Sequence, residues 1–239
     1  MSYREKKILV IIPAYNEEEN ILKVAKSIEE HKEYDYIIIN DGSKDNTLNI
    51  LKENKLNHVD LVFNLGIGGA MQTGYKYAYQ NGYDIAVQLD GDGQHDPKYI
   101  KNIVDPVIDG KCDMCIGSRY LDDETSEFKS TFMRRFGKSL ITGIIKMLYK
   151  VTITDPTSGF RAVNSKIIEN FAKSYPIEYP EPDSTAEMLG KGLKVLEVPV
   201  RMYERQGGVT SINLKGSILY MIKVPLAILI KKNRKNKSN

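Results

Sequence analysis

Soft metal ligands are scarce in this chain, which has two cysteines and three histidines in 239 residues. Cys112 and Cys115 cannot fill a four-ligand zinc site, and no nearby histidine pair completes one. A redox CxxC sits at a helix N-terminus, whereas Lys111–Ile116 lies in an apolar run that reads as a strand. The pair is therefore read as two small residues in the sheet of a cytosolic protein. Net charge is equally thin: 34 Lys and Arg against 31 Asp and Glu leave +3. That is too little to draw in nucleic acid by global attraction, so no nucleic-acid partner is expected. No run reaches the roughly 18–20 apolar residues of a membrane-spanning helix. Met1–Lys7 is charged and Ile8–Ile12 is too short for the apolar core of a signal peptide, so no secretory leader is expected. Neither GxxxxGK[ST] nor GxGxxG occurs; Gly66-Ile-Gly-Gly69 fits neither pattern, which removes the ATPase and dinucleotide readings.

What is present suits an α/β domain. With 41% hydrophobic and 27% charged residues, the chain can bury a sizeable core. Unbroken apolar runs at Lys7–Tyr15, Tyr36–Asn40, Val59–Asn64, Ile85–Leu89 and Met114–Gly117 read as strands. Helical patterns separate them at Glu17–His31, Asp45–Lys55, Gly69–Tyr79 and Pro97–Ile108. Apolar strands alternating with helices predict a mostly parallel sheet with helices on both faces. Ligands bind such sheets beyond the C-terminal strand ends. The polar clusters fall there: Asn16-Glu17, Asn40-Asp41-Gly42-Ser43, Asn64, Asp90-Gly91-Asp92 and Ser118-Arg119.

The second half is less regular. It predicts helices over Phe128–Leu148, Ser165–Lys173 and Ser184–Gly190, a strand over Lys194–Tyr203, and a Gly-rich loop at Arg205–Ser211. Ile218–Ile230 is apolar apart from Tyr220 and Lys223, and a basic cluster from Lys231 to Lys237 follows. This pattern suits an amphipathic helix on an anionic membrane surface; the alternative is a core-packing helix with a solvated tail. The expected organisation is one catalytic domain over 1–213 and a C-terminal segment over 214–239.

Asp90-Gly91-Asp92 is the strongest chemical signal. Two carboxylates directly after a buried strand repel one another unless a cation intervenes. Mn²⁺ or Mg²⁺ takes such oxygen ligands and completes its shell with substrate phosphates. Gln94 adds an amide oxygen, whereas His95 is read as structural. Asp41 can hold a ribose hydroxyl or a base, or it belongs to an Asx turn capping the next helix.

Val10-Ile-Ile-Pro-Ala-Tyr-Asn-Glu17, Asn40-Asp-Gly-Ser43, Asn64-Leu-Gly66, Asp90-Gly-Asp-Gly-Gln-His95, Gly117-Ser-Arg119 and Thr157-Ser-Gly-Phe-Arg161 occur in this order. Together they resemble the family 2 glycosyltransferases of GT-A fold, and most closely the dolichyl- and polyprenyl-phosphate mannosyl- and glucosyltransferase branch. The resemblance implies inverting transfer of a sugar from a UDP-, GDP- or dTDP-sugar. It places Pro13, Tyr15, Glu17 and Asp41 on the nucleotide, with Gly91 beside it. Asp90, Asp92 and Gln94 would hold the metal and donor diphosphate, and Arg205 would close over the donor. Arg119, Ser139 and either Arg135 or Arg134 would hold an acceptor phosphate at the cytoplasmic membrane face. If the acceptor is instead a saccharide hydroxyl on a lipid-linked glycan, a general base is needed, and Asp183 or Glu181 is the candidate. Ile67 departs from the family pattern, which often has Lys there. Tyr179-Pro-Glu-Pro-Asp183 resembles a surface-polysaccharide subgroup instead. Asp155 and Arg161 bracket a turn and read as a structural pair or as walls of the acceptor channel.

Overall fold

A computed structural model describes residues 3–121, 132–203 and 223–229, with the backbone alone for 132–136 and 138. The strands are β1 (Ile8–Ala14), β2 (Asp35–Asn40), β3 (His58–Asp60), β4 (Ile85–Gln88), β5 (Met114–Ser118), β6 (Arg161–Asn164) and β7 (Val195–Pro199). The α-helices are α1 (Ile21–Glu29), α2 (Thr47–Glu53), α3 (Gly66–Gln80), α4 (Ile100–Ile108), α5 (Phe132–Tyr149), α6 (Ser165–Lys173) and α7 (Pro180–Gly190). The strands form one sheet in the order β3-β2-β1-β4-β6-β5-β7. Successive β1 residues face opposite sides, as the pleat requires. Ile8, Val10 and Ile12 pack with α1, α2 and α4, while Leu9 and Ile11 pack with α3, α5 and α6. The expected mostly parallel sheet with helices on both faces is thus present.

β6 is the strand that the periodicity did not reveal. Its four residues open with charged Arg161 and close with Asn164, so only Ala162 and Val163 carry an apolar signal. It runs antiparallel to both β4 and β5, pairing Gln88 with Arg161 and Ile116 with Arg161. Since β4 and β5 both run opposite to β6, they are parallel to each other. The N-terminal end of β6 therefore meets the C-terminal ends of its neighbours at one edge, and that edge carries the polar clusters.

Other boundaries moved for tertiary reasons. β3 stops at Asp60 rather than Asn64 because Asn64 and Leu65 turn back to bond with Asp41. α3 starts at Gly66 rather than Gly69, since Asp41 Oδ1 accepts from the Leu65 N–H at 2.7 Å and caps its entry. α7 starts at Pro180, so Glu181 and Asp183 lie in its first turn instead of ahead of it. β7 ends at Pro199, short of the expected Tyr203. Residues 223–229 are helical. Val224 and Ile228 are buried in the core, Leu226 is half-exposed, and Lys223 Nζ lies 3.5 Å from Glu178 Oε2. This stretch packs on the core, whereas the basic cluster lies outside the described residues. Among the described residues, no helix is long and apolar enough to cross a membrane.

Candidate active site

β4 leaves the sheet through Leu89, whose N–H bonds to the Ile11 carbonyl at 3.0 Å. The chain then turns sharply through Asp90-Gly91-Asp92. Gly91 is required there, because a Cβ would stand 2.9 Å from the Pro13 carbonyl oxygen. The Asp90 side chain retains 35% of its exposure. His95 Nε2 lies 3.1 Å from Asp90 Oδ2, and its ring packs on Phe160 with centroids 5.0 Å apart. Burial alone would raise the Asp90 pKa. Hydrogen bonds from His95 and Gln88, with the nearby Arg161 charge, instead hold its carboxyl below the usual range. Gly159 abuts this carboxylate, since a Cβ there would meet Asp90 Oδ2 at 2.7 Å. Asp92 Oδ1 accepts from the Gln94 N–H at 3.1 Å, and the Gln94 side-chain nitrogen donates to the Tyr203 carbonyl at 3.1 Å.

Along the same edge lie the residues expected on the nucleotide. Pro13 is the penultimate residue of β1, opposite Ile39, and Tyr15 projects into solvent. Glu17 is largely buried, with Oε2 accepting from Asn20 Nδ2 at 3.0 Å. Asp41 is buried against the Asn64–Gly66 turn. Burial pushes its carboxyl up, and the Leu65 and Gly66 N–H groups offset part of that rise. Gly42 has φ +64 and approaches the backbone of Phe63 and Asn64, where a Cβ would meet the Asn64 nitrogen at 2.9 Å.

Arg119 leaves the end of β5 already engaged. Its Nε and Nη2 each donate to the Asp155 carboxylate at 2.7 Å, and Nη2 also donates to Thr157 Oγ1 at 3.2 Å. Burial would lower the Arg119 pKa, but the paired carboxylate overrides it and holds the guanidinium protonated more firmly than usual. Asp155 is fully buried. Its N–H and that of Thr154 donate to the two Glu197 carboxylate oxygens at 2.7 and 2.6 Å. The expected pairing of Asp155 with Arg161 is therefore corrected: Asp155 pairs with Arg119 across the sheet edge. Arg161, fully buried, donates instead to the Glu181 carbonyl at 3.1 Å, to Ser184 Oγ at 3.0 Å and to the Ser158 carbonyl.

Glu181 and Asp183 occupy the first turn of α7. Glu181 is half-buried and its Oε1 accepts from Gln88 Nε2 at 3.3 Å. Burial pushes its carboxyl up, the Arg161 charge opposes this, and the Asp90 charge adds to it. Two neighbouring acids thus have pKa values displaced in opposite directions, the arrangement that separates a permanent carboxylate from a group able to take a proton. Asp183 is buried.

The structure brings Asp90, Asp92, Gln94, Arg119 and Glu181 to one edge. Ser139 lies exposed on α5. The backbones of Arg134 and Arg135 lie on the same helix and their side chains fall outside the described residues, as does Arg205. Among the described residues, no three His, Cys, Asp or Glu side chains form a metal cluster. The oxygens available at this edge are two carboxylates and the Gln94 amide, with Asp90 held ionised in a cradle that a Cβ at 159 would fill. An all-oxygen set of this size fits a hard divalent ion that takes its remaining ligands from phosphates. The sequence reading missed three contacts: His95 on Asp90, Gly159 on Asp90 and Asp155 on Arg119. The last two belong to the 154–161 turn, whose Thr157–Arg161 motif was visible without its contacts.

The family model described as glycosyl transferase family 2 matches residues 9–171. The chain is 34% identical over 220 residues to the UDP-N-acetylglucosamine–dolichyl-phosphate N-acetylglucosaminyltransferase of Methanococcus voltae, covering 82% of this chain and 86% of that one. It is 31% identical over 219 residues to the polyprenol monophosphomannose synthase of Mycolicibacterium smegmatis, covering 86% and 80%. Among solved structures, glucosyl-3-phosphoglycerate synthase of Mycobacterium tuberculosis, in complex with Mn²⁺, UDP and phosphoglyceric acid, superposes with TM-score 0.70. It is 19% identical, and the match covers 96% of this chain and 79% of that one. That likeness establishes the shared GT-A fold.

Proposed function

Because this chain belongs to glycosyl transferase family 2 and is a glycosyltransferase, we propose that it moves a sugar from a nucleotide-diphospho-sugar to a polyprenyl phosphate at the cytoplasmic membrane face. The observation that carries the proposal is the shared edge, where Asp90 and Asp92 follow β4 and the Asp155-oriented Arg119 follows the parallel β5. Relatives more than 30% identical over most of the chain are named for transfer to dolichyl phosphate and for polyprenol monophosphomannose synthesis. The basic cluster from Lys231 to Lys237, beyond the core-packed 223–229, would face anionic lipid at the membrane surface.

In this reading Pro13, Tyr15, Glu17, Asp41 and Gly91 hold the nucleotide, and Arg205 covers it. Asp90, Asp92 and Gln94 hold Mn²⁺ or Mg²⁺, which when bound offsets the charge growing on the departing diphosphate. Arg119, Ser139 and Arg135 or Arg134 orient the lipid phosphate. Its second pKa lies near ~6, so it is largely dianionic at neutral pH and needs positioning rather than deprotonation. A phosphate oxygen attacks the anomeric carbon as the bond to the nucleoside diphosphate breaks, inverting the configuration.

The raised carboxyl of Glu181 favours a second reading, in which a saccharide hydroxyl is the acceptor and Glu181 takes its proton, with Asp183 as the other candidate base. Turnover with Mn²⁺, a panel of UDP-, GDP- and dTDP-sugars and undecaprenyl phosphate separates the readings. An Asp92→Ala-sensitive lipid-phosphate sugar supports the first. Donor binding without transfer to lipid phosphate supports the second, and absence of donor binding refutes both.

A further inference from the structure

Arg161 is the largest of the fully buried side chains and lies immediately behind the site. Its Nε donates to the Ser158 carbonyl at 3.1 Å, and Nη2 donates to the same oxygen. Nη1 turns the other way, to the Glu181 carbonyl at 3.1 Å, Ser184 Oγ at 3.0 Å and Thr185 Oγ1 at 3.4 Å. These acceptors are all neutral oxygens, while the Asp90 and Glu181 carboxylates lie near enough to feel the guanidinium charge without bonding it directly. A buried cation hydrogen-bonded to a helix's first turn is electrostatically unfavourable with respect to the helix dipole and costly in desolvation. A side chain kept only for packing would not need either feature.

The two ends of the guanidinium reach different parts of the site. Ser158 precedes Gly159, the residue that walls the Asp90 carboxylate. Glu181 lies in the first turn of α7, and Ser184 and Thr185 begin the second; the half-buried Glu181 carboxylate is bonded to Gln88. Gln88 and Arg161 are also register partners in the β4–β6 ladder. Beyond Arg161 lie the fully buried Tyr75 and the buried Tyr175, whose rings sit 5.3 Å apart. The hydroxyl groups of both have no hydrogen-bond partner among the described residues.

We propose that Arg161 is a positioning residue for glycosyl transfer: its planar fork locks the loop that walls Asp90 to the first turn of α7, so that the donor-side and acceptor-side acids keep one relative geometry. The inference rests on the reading of this edge as the transfer site. Lysine keeps the charge but cannot span both sets of acceptors. Loss of alignment lowers the rate far more than it weakens binding.

Wild type, Arg161→Lys and the milder Ser184→Ala are compared with MnCl2, the nucleotide-sugar panel and undecaprenyl phosphate. Hydrogen exchange of residues 157–160 and 180–185 is followed in parallel. The expected result for Arg161→Lys is kcat lower by about fiftyfold or more with donor KM within about threefold. Exchange should rise in both segments together, and Ser184→Ala should show the same pattern more weakly. If both variants hold wild-type kcat, or lose activity only in proportion to their unfolded fraction, Arg161 is no positioning residue. Should wild type transfer no sugar to undecaprenyl phosphate, the lipid-phosphate reading fails, and the exchange measurement still decides the coupling. Faster exchange in both segments then upholds the lock, and an effect confined to one segment, or absent, overturns it.

Discussion

Gly159→Ala tests the site at its tightest point. The added Cβ would stand 2.7 Å from Asp90 Oδ2 and 2.9 Å from Oδ1, where ordinary contact begins at 3.4 Å. Relief requires a relative shift of about 0.7 Å. The backbone at 159 is not in the left-handed region, so the strain falls on the contact alone. Asp90 is the partner able to move, since its side chain is 35% exposed and the groups that bond it, His95 and Gln88, are themselves side chains. Overpacking of this kind costs about 1–3 kcal/mol of stability, and a misplacement approaching 1 Å at a reacting centre can cost about a hundredfold in rate. The expectation is a folded protein with kcat reduced roughly 10- to 100-fold and a raised Mn²⁺ requirement, read from initial rates across a metal titration beside a urea melt. Wild-type rate at wild-type metal concentration in a folded variant would falsify the assignment of Asp90 to the metal.

Three further outcomes follow from the same edge. Asp155→Ala strips the bidentate partner from Arg119 and leaves a mostly buried cation uncompensated; urea melts should show a loss of about 3–5 kcal/mol, with acceptor KM raised more than donor KM. Glu181 has a folded-state carboxyl above its ordinary 4.5, so the native state binds its proton more tightly than the unfolded chain does. Its stabilising contribution is therefore present at low pH and declines as pH rises from 4.5 through the folded value. Glu181→Gln should accordingly gain stability relative to wild type between pH 5 and pH 8 in denaturant titrations; a constant difference would contradict the raised value. Ile67→Lys restores the family's basic residue in the first turn of α3, and donor KM should fall about tenfold if a charged hydrogen bond to phosphate forms; no change would mean that position 67 does not face the diphosphate.

The five parallel-reading strands and the polar edge were legible because each strand is an apolar run ended by Asp, Asn or Gly. β6 was not legible, because Arg161 opens it and its burial depends on acceptors from Ser158 and from α7, which local pattern cannot show. That Asp90, Asp92 and Gln94 share one turn at the end of β4 could be read from adjacency alone. Pairing Arg119 with Asp155 required knowledge that β5 ends beside the 154–161 turn, a contact across 36 positions. The start of α3 was missed for the same reason, since its cap is supplied by Asp41 rather than by a neighbour in the chain.

The reversed strand β6 also bears on how the molecule is made. Residues 1–118 contain five of the seven strands, yet they do not form a continuous sheet until residues 161–164 insert between β4 and β5. A nascent chain halted before that point leaves one margin of β4 and both margins of β5 open, since β7 also follows later in the chain, and such margins can pair with other chains. Closure across such a sequence separation is slow relative to local helix formation. Synthesis and catalytic assembly are therefore ordered: the donor half can collapse early, but the edge that would hold the transferred sugar exists only after the middle of the chain has been threaded through the sheet.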